Sequence, residues 1–183
     1  MRDSQEEILK FWFDETEPQL WFQENDAFDA LLRKRYMGSC ELARDGVCDA
    51  WSRSVDGSLA LCLLLNQFPR HIYRGHAKAY SGDKKALLTA KNAVAKGFDQ
   101  TLPPVKRRFL YLPYLHSESL PNQKISVELF SKMQKDDPLS FEHAQRNYRI
   151  IEKFGRFPHR NKVLGRENTP AEQEYLAGMP AGA

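Results

Sequence analysis

The sequence predicts an all-α protein with no sheet. Apolar residues recur at three- and four-residue steps along almost the whole chain, and no segment keeps a strand's strict alternation against that spacing. The breaks between these stripes carry helix-start and helix-stop residues rather than hairpin turns. About eight or nine helices are expected, joined by short loops and packed as antiparallel pairs in one domain spanning residues 1–183.

Ile8, Phe11 and Trp12 open the series. The aromatic pairs Trp12-Phe13 and Trp21-Phe22 flank the acidic turn 14–17 and read as core. Phe28, Leu31, Leu32 and Tyr36 make a second stripe, and Ala43, Val47 and Ala50 a third. Residues 59–65, LALCLLL, are apolar on every side, so that helix is expected at the centre, surrounded by others. Pro69 and Gly75 are expected to end it or bend the chain beyond it. Leu87, Ala90 and Val94 follow, with Gly97 suited to the residue after the helix end. Pro104 fits the first turn of a helix over 105–112, and Pro113 should kink that helix, freeing carbonyls just before His116. Two more stripes are Ile125, Leu129, Phe130, Met133 and Phe141, Ala144, Tyr148, Ile151. Thr169-Pro170-Ala171-Glu172 is a capping box with proline at the first helical position. Residues 178–183 read as a loose tail, and no internal repeat signature is present.

A chain of 183 residues buries roughly 70% of the surface its unfolded form exposes, so it needs neither disulfide nor metal to fold. Cys40, Cys48 and Cys62 have no metal-ligand spacing and read as small buried hydrophobes in a reducing compartment. Acidic residues near the N-terminus do not suit a secretion signal, and residues 59–65 are too short to span a bilayer. A cytoplasmic protein with no membrane partner is expected. The charge of +3 and pI near 8.7 tolerate an anionic partner without requiring one. Arg33-Lys34-Arg35 and Lys106-Arg107-Arg108 sit inside helical patterns and read as solvated faces, so nucleic acid is disfavoured. Glycine-rich phosphate loops, HExxH and paired cysteines are absent, and no two of the five histidines stand four residues apart. No metal and no cofactor is expected.

The functional signal lies in two related strings. One is Gln67-Phe68-Pro69-Arg70-His71-Ile72-Tyr73-Arg74-Gly75; the other runs over residues 154–166, FGRFPHRNKVLGR. Each puts basic groups directly after a Phe-Pro step. Cations there can simply complement a helix C-terminus. Alternatively Arg70, Arg74, Arg156, Arg160 and Arg166 converge on an anion, which the planar guanidinium grips at two points. His116-Ser117-Glu118 holds the residue types of a hydrolytic triad, but neighbours on a helix diverge by about 100° and cannot form a relay. His116 and Glu118 are better read as pocket lining.

The leading expectation is a small anionic ligand, or an acidic peptide terminus, held in a basic cleft. Arg70, Arg74, Arg156 and Arg160 would contact it. His116, His159 and Asn161 would orient it, with His71, Glu118 and Arg166 completing the rim. One rival is an enzyme acting on a phosphate- or carboxylate-bearing substrate, with His116 or His159 as acid–base. Another is an RNA-binding helical protein using the two basic runs. The sequence leaves the oligomeric state open.

Four marks occur together: Phe11-Trp12-Phe13 with Trp21-Phe22; the apolar helix running into Asn66-Gln67-Phe68-Pro69-Arg70; residues 111–118, YLPYLHSE; and residues 154–161, FGRFPHRN. In these the chain resembles the bacterial domain of unknown function 924 family, from about Ile8 to Leu176. The resemblance implies an α-helical fold similar to tetratricopeptide-repeat superhelices, and it implies no activity. Asn66 stands where the family pattern leads one to expect aspartate, and His71 where it leads one to expect asparagine. The first difference counts against acid–base chemistry at position 66.

Overall fold

The computed structural model describes residues 3–178, which contain helices and turns and no strand. The α-helices are α1 (Gln5–Lys10), α2 (Asp26–Arg44), α3 (Val55–Cys62), α4 (Phe68–Ile72), α5 (Asp83–Ala95), α6 (Pro104–Leu115), α7 (Leu120–Ser131), α8 (Pro138–Phe154) and α9 (Pro170–Ala177). A π turn, Leu63–Gln67, joins α3 to α4. The described helices therefore number eight or nine according to whether that turn counts as a break.

The π turn corrects the expectation for Pro69. A proline in α-register clashes with the carbonyl four residues back, and a π turn adds one residue at that point. The helix passes through Pro69 and ends at Ile72. Gly82, at the N-cap of α5, packs against the Leu65 carbonyl in the π turn, and a Cβ built there would overlap that oxygen. Gly82→Ala must therefore push α5 away from backbone. Such overpacking costs about 1–3 kcal/mol, and thermal unfolding should show a fall of roughly 2–4 °C for each of them.

The central segment Leu59–Leu65 is 0–1% exposed at every residue. It is enclosed because α3 packs on α1, α5 and α6, while α2 lies on α4. Aromatic rings fill the space around it: Trp12 and Phe68 lie 5.1 Å apart, Phe11 and Tyr36 4.9 Å, and Trp21 and Phe109 5.2 Å. Cys40, Cys48 and Cys62 are buried there too. A separate small cluster of Ile150, Ile151 and Phe157, with Leu120, Phe154 and Tyr175 against it, forms where α8 meets the C-terminal segment.

Three stripes differ from expectation, the first in that Leu31 of α2 is 46% exposed. Ala43 belongs to α2, which ends just before Gly46 at φ 93°; Val47 beyond it is 45% exposed. In the α7 stripe Leu129, Phe130 and Met133 are buried as expected, but the first half of the helix turns Asn122, Gln123 and Ser126 inside and Ile125 outside. Gln123 explains the rotation. Its Nε2 donates to the carbonyls of Tyr114 (3.3 Å), Leu115 (2.9 Å) and Ser117 (2.7 Å), closing the end of α6.

The capping box of α9 has both expected bonds. Glu172 N–H donates to Thr169 Oγ1 at 3.3 Å, and Thr169 N–H donates to Glu172 Oε2 at 2.8 Å. Gly178 closes α9, and the rest of the expected loose tail lies outside the described residues. No helix among the described residues is long and apolar enough to cross a membrane.

Candidate functional site

The two Phe-Pro strings meet in space. Phe68 and Phe157 are both fully buried, one in the large core and one in the small cluster. Each plug turns the basic residues after it toward a cleft of about 1090 Å³ between the two clusters. The ring of Tyr80 lies under both strings: the guanidinium of Arg70 is 5.5 Å from its centroid and that of Arg160 is 4.8 Å.

Six of the expected residues line this cleft: Arg70, His71, Arg74, His116, His159 and Arg160. Glu118, Arg156, Asn161 and Arg166 do not, because they fasten the C-terminal segment to itself and to the link between α6 and α7. Arg166 donates to both carboxylate oxygens of Glu118, at 2.7 and 3.0 Å, and to Asn161 Oδ1 at 2.8 Å. Glu118 also accepts the Phe157 N–H at 2.8 Å. Arg156 makes a two-point pair with Glu172, at 2.7 and 2.8 Å, and donates to the Glu167 carbonyl.

The hydrogen bond from Arg156, and next the Thr169 N–H, hold the Glu172 carboxyl down to about 2. Its unfolded value is about 4.3. A carboxylate depressed on folding stabilises the protein above the unfolded value and loses that contribution as pH falls through the folded one. Undocking of α9 is therefore expected between about pH 4 and 2. A tryptophan placed at Tyr175 should report it by fluorescence, and Glu172→Gln should remove the acid dependence.

Within the cleft, three of the six arginines and lysines already have carboxylate partners that the sequence did not mark. Arg70 pairs with Asp83 at two points, both 2.9 Å, and also donates to the Asn66 carbonyl. Arg74 pairs with Asp29 at 2.6 and 3.0 Å. Arg108 meets Asp137 at 2.8 Å. His71 is also held by Asp29: Nδ1 lies 2.9 Å from Oδ1, and Nε2 lies 3.1 Å from the Trp21 carbonyl. Neither oxygen can donate, so these contacts suit the doubly protonated ring, while burial pulls the ring's pKa down.

Arg160 is different. It is 7% exposed, and no carboxylate among the described residues lies within 4 Å of it. Among the described residues its only hydrogen bond runs from Nη1 to the His116 carbonyl at 3.0 Å, and its buried Nε has no partner. The group is sandwiched by the Tyr80 ring and by that of Phe157, whose centroid is 4.3 Å away. Burial, and then the neighbouring Arg70 cation, draw its pKa down to about 10, so it stays charged at neutral pH.

His116 closes the α6 end beside it. Its Nδ1 lies 2.7 Å from Asn66 Oδ1, and Asn66 Nδ2 donates to Asp83 Oδ1 at 2.9 Å. Burial, then the charges of Arg70 and Arg160, lower its pKa well below the usual histidine value. It is therefore a neutral ring, and its Nε2 makes no hydrogen bond to any described residue. His159 is exposed at the cleft wall. Desolvation, and next Arg160, lower its pKa as well. Glu118 is engaged with Arg166 rather than with either histidine, and no cluster of three or more metal-ligating side chains occurs among the described residues.

Sequence reasoning missed Tyr80, Asp83 and the outer wall of the cleft. That wall is a face of α8 with His143, Arg146, Ile150 and Lys153 at helical spacing, a signal legible in the sequence but overshadowed by the apolar stripe. Phe22, read as core, is 55% exposed at the cleft mouth, as is Leu139 at 65%. Arg33-Lys34-Arg35 is exposed, as expected of a solvated face, whereas Lys106-Arg107-Arg108 is half-buried. Arg33 donates twice to the Ile72 carbonyl, and Arg107 donates to that of Leu102.

The family model described as "Bacterial protein of unknown function (DUF924)" matches residues 8–179. The structure of a protein of unknown function, ATU0120 from Agrobacterium tumefaciens, is similar to this one, with a TM-score of 0.88 and 38% sequence identity. The match covers 94% of this chain and 96% of that one. No curated protein matches the chain.

Proposed function

The chain belongs to the DUF924 family of bacterial proteins, and on that premise we propose that it binds a small anionic ligand in the basic cleft, with Arg160 as its principal contact. One observation carries this reading: a guanidinium with no carboxylate partner is buried in the wall of a cleft that can admit a ligand. A buried charge is costly unless an opposite charge reaches it; among the described residues no carboxylate comes within 4 Å of Arg160, and Asp83 and Glu118 act on it only from farther away. The exposed cations Arg146 and Lys153 on α8 add a positive field at the entrance. Phe22 and Leu139 offer apolar contact at the mouth, and the volume suits an organic anion or an acidic peptide terminus.

The test is a calorimetric titration of small carboxylates and phosphates against the wild type, Arg160→Met and Arg156→Met. Affinity should be lost in the first variant and retained in the second, whose arginine is paired outside the cleft. Binding that survives Arg160→Met, or a wild type that takes up no anion, contradicts the proposal.

A second reading makes the same cleft catalytic, with His116 as general base. The observation favouring it is the unbonded Nε2 on a ring oriented by Asn66. Turnover lost in His116→Gln, with anion affinity retained, would distinguish it from binding alone. The buried thiols of Cys40 and Cys62 fit a reducing, cytoplasmic setting. Contacts between successive helices (α5 with α6, α6 with α7, α7 with α8) support a tetratricopeptide-like arrangement.

A further inference from the structure

The hydrogen bonds around His116 fix which kind of anion the cleft accepts, an inference that rests on the anion-binding reading. Asp83 has both carboxylate oxygens taken up by Arg70, and as a carboxylate it can only accept. The side chain that donates to it from Asn66 must therefore present Nδ2 to Asp83 and Oδ1 to His116. Asn66 Oδ1 can also only accept, so His116 keeps its hydrogen on Nδ1. Nε2 is left with a lone pair, no partner among the described residues and a place in the cleft lining. Arg160 is tied to this same residue through the His116 carbonyl, its charge acts on the imidazole, and both side chains line the cleft.

An oxyanion held by Arg160 thus meets an acceptor at its flank. A bare oxygen there faces lone pair against lone pair. A hydroxyl there donates. We propose that the cleft selects small oxyanions carrying a hydroxyl hydrogen beside the charge, such as protonated phosphate or a 2-hydroxycarboxylate, over oxyanions that lack one. The asparagine at position 66 suits this selection. Aspartate beside Asp83 would place two carboxylates together, whereas asparagine bridges Asp83 and His116 without added charge.

Matched pairs test this on the wild-type protein: phosphate against sulfate, and glycolate against acetate. Titration is at pH about 6.5, where inorganic phosphate keeps a hydroxyl and sulfate does not. The hydroxyl-bearing member is expected to bind about tenfold more tightly, although sulfate carries the greater charge. The pair that shows the preference identifies the source of the ligand. In His116→Phe the members of that pair should come within about twofold of each other.

Because that variant also loses the bond to Asn66, the wild-type ring is followed in parallel by nitrogen NMR. The preferred anion should shift the His116 Nε2 resonance, and its hydroxyl-free mate should not. Equal affinities within both pairs overturn the selection while leaving the role of Arg160 intact. Selection that persists in His116→Phe overturns it as well. Absence of binding by all four anions overturns both the selection and the anion-binding reading.

Discussion

In an Arg160→Met variant, the melting temperature is expected to hold or rise by several degrees while affinity for anions falls by about thirty- to a hundredfold. The two effects have one cause. Burial and Arg70 depress the Arg160 pKa from its ordinary 12.5 to about 10. At about 1.4 kcal/mol per pKa unit, that disfavours the charge by about 3 kcal/mol in the folded state. Methionine can fill the slot between the Tyr80 and Phe157 rings without that charge. The charge-assisted bond to a ligand, worth about 2–3 kcal/mol, goes with it.

An arginine that merely capped α6 would behave otherwise. Its single bond to the His116 carbonyl would be lost, the melting temperature would fall, and no anion affinity would be there to lose. Thermal unfolding and calorimetry on one preparation separate the two cases.

Asp29→Ala is expected to have the largest effect on stability. Asp29, on α2, is 6% exposed and holds both Arg74 and His71 at the end of α4. Its removal leaves two cationic or polar groups without their counter-ion where α2 packs on α4. Breaking such a buried pair costs about 3–5 kcal/mol, which for a chain of this size lowers the melting temperature by on the order of 10 °C. The double variant Asp29→Ala, Arg74→Met should recover part of the loss, since it removes one of the orphaned charges.

The dependence on pH has a definite sign. Burial raises the Asp29 carboxyl pKa, but the bonds from Arg74 and His71 outweigh it, and the net shift is downward. The contribution is therefore complete above the unfolded value of about 3.9 and lost as pH falls through the lower folded value. The difference between wild type and Asp29→Ala should shrink over that acid range. Melting curves at several pH values measure it.

The fold was legible because helical periodicity is a local signal. Residues 59–65 had no polar side to show, and they lie at the centre. Thr169 and Glu172 announced the start of α9 through three intervening bonds of sequence. The stripes that misled, Val47 and Ile125, did so because tertiary polar contacts and a left-handed glycine overrode periodicity.

The cleft was legible only in part. The resemblance between the two Phe-Pro strings pointed to Arg70, Arg74 and Arg160. It could not show which guanidinium would be neutralised, because Asp29 and Asp83 are separated from their partners by 45 and 13 positions and look like any surface carboxylate in the sequence. Arg156 and Arg166 carried the same signal as Arg160, and only three-dimensional packing separates them. The feature that sets Arg160 apart is a missing partner, and a sequence does not display an absence.

Crystals grown with arsenate give the most direct measurement, since the arsenic can be located by its anomalous signal. The account predicts arsenate in the cleft with an oxygen about 2.7–2.9 Å from the Arg160 guanidinium. Arsenate found only on exposed lysines, with Arg160 still bonded to nothing but the His116 carbonyl, would contradict it.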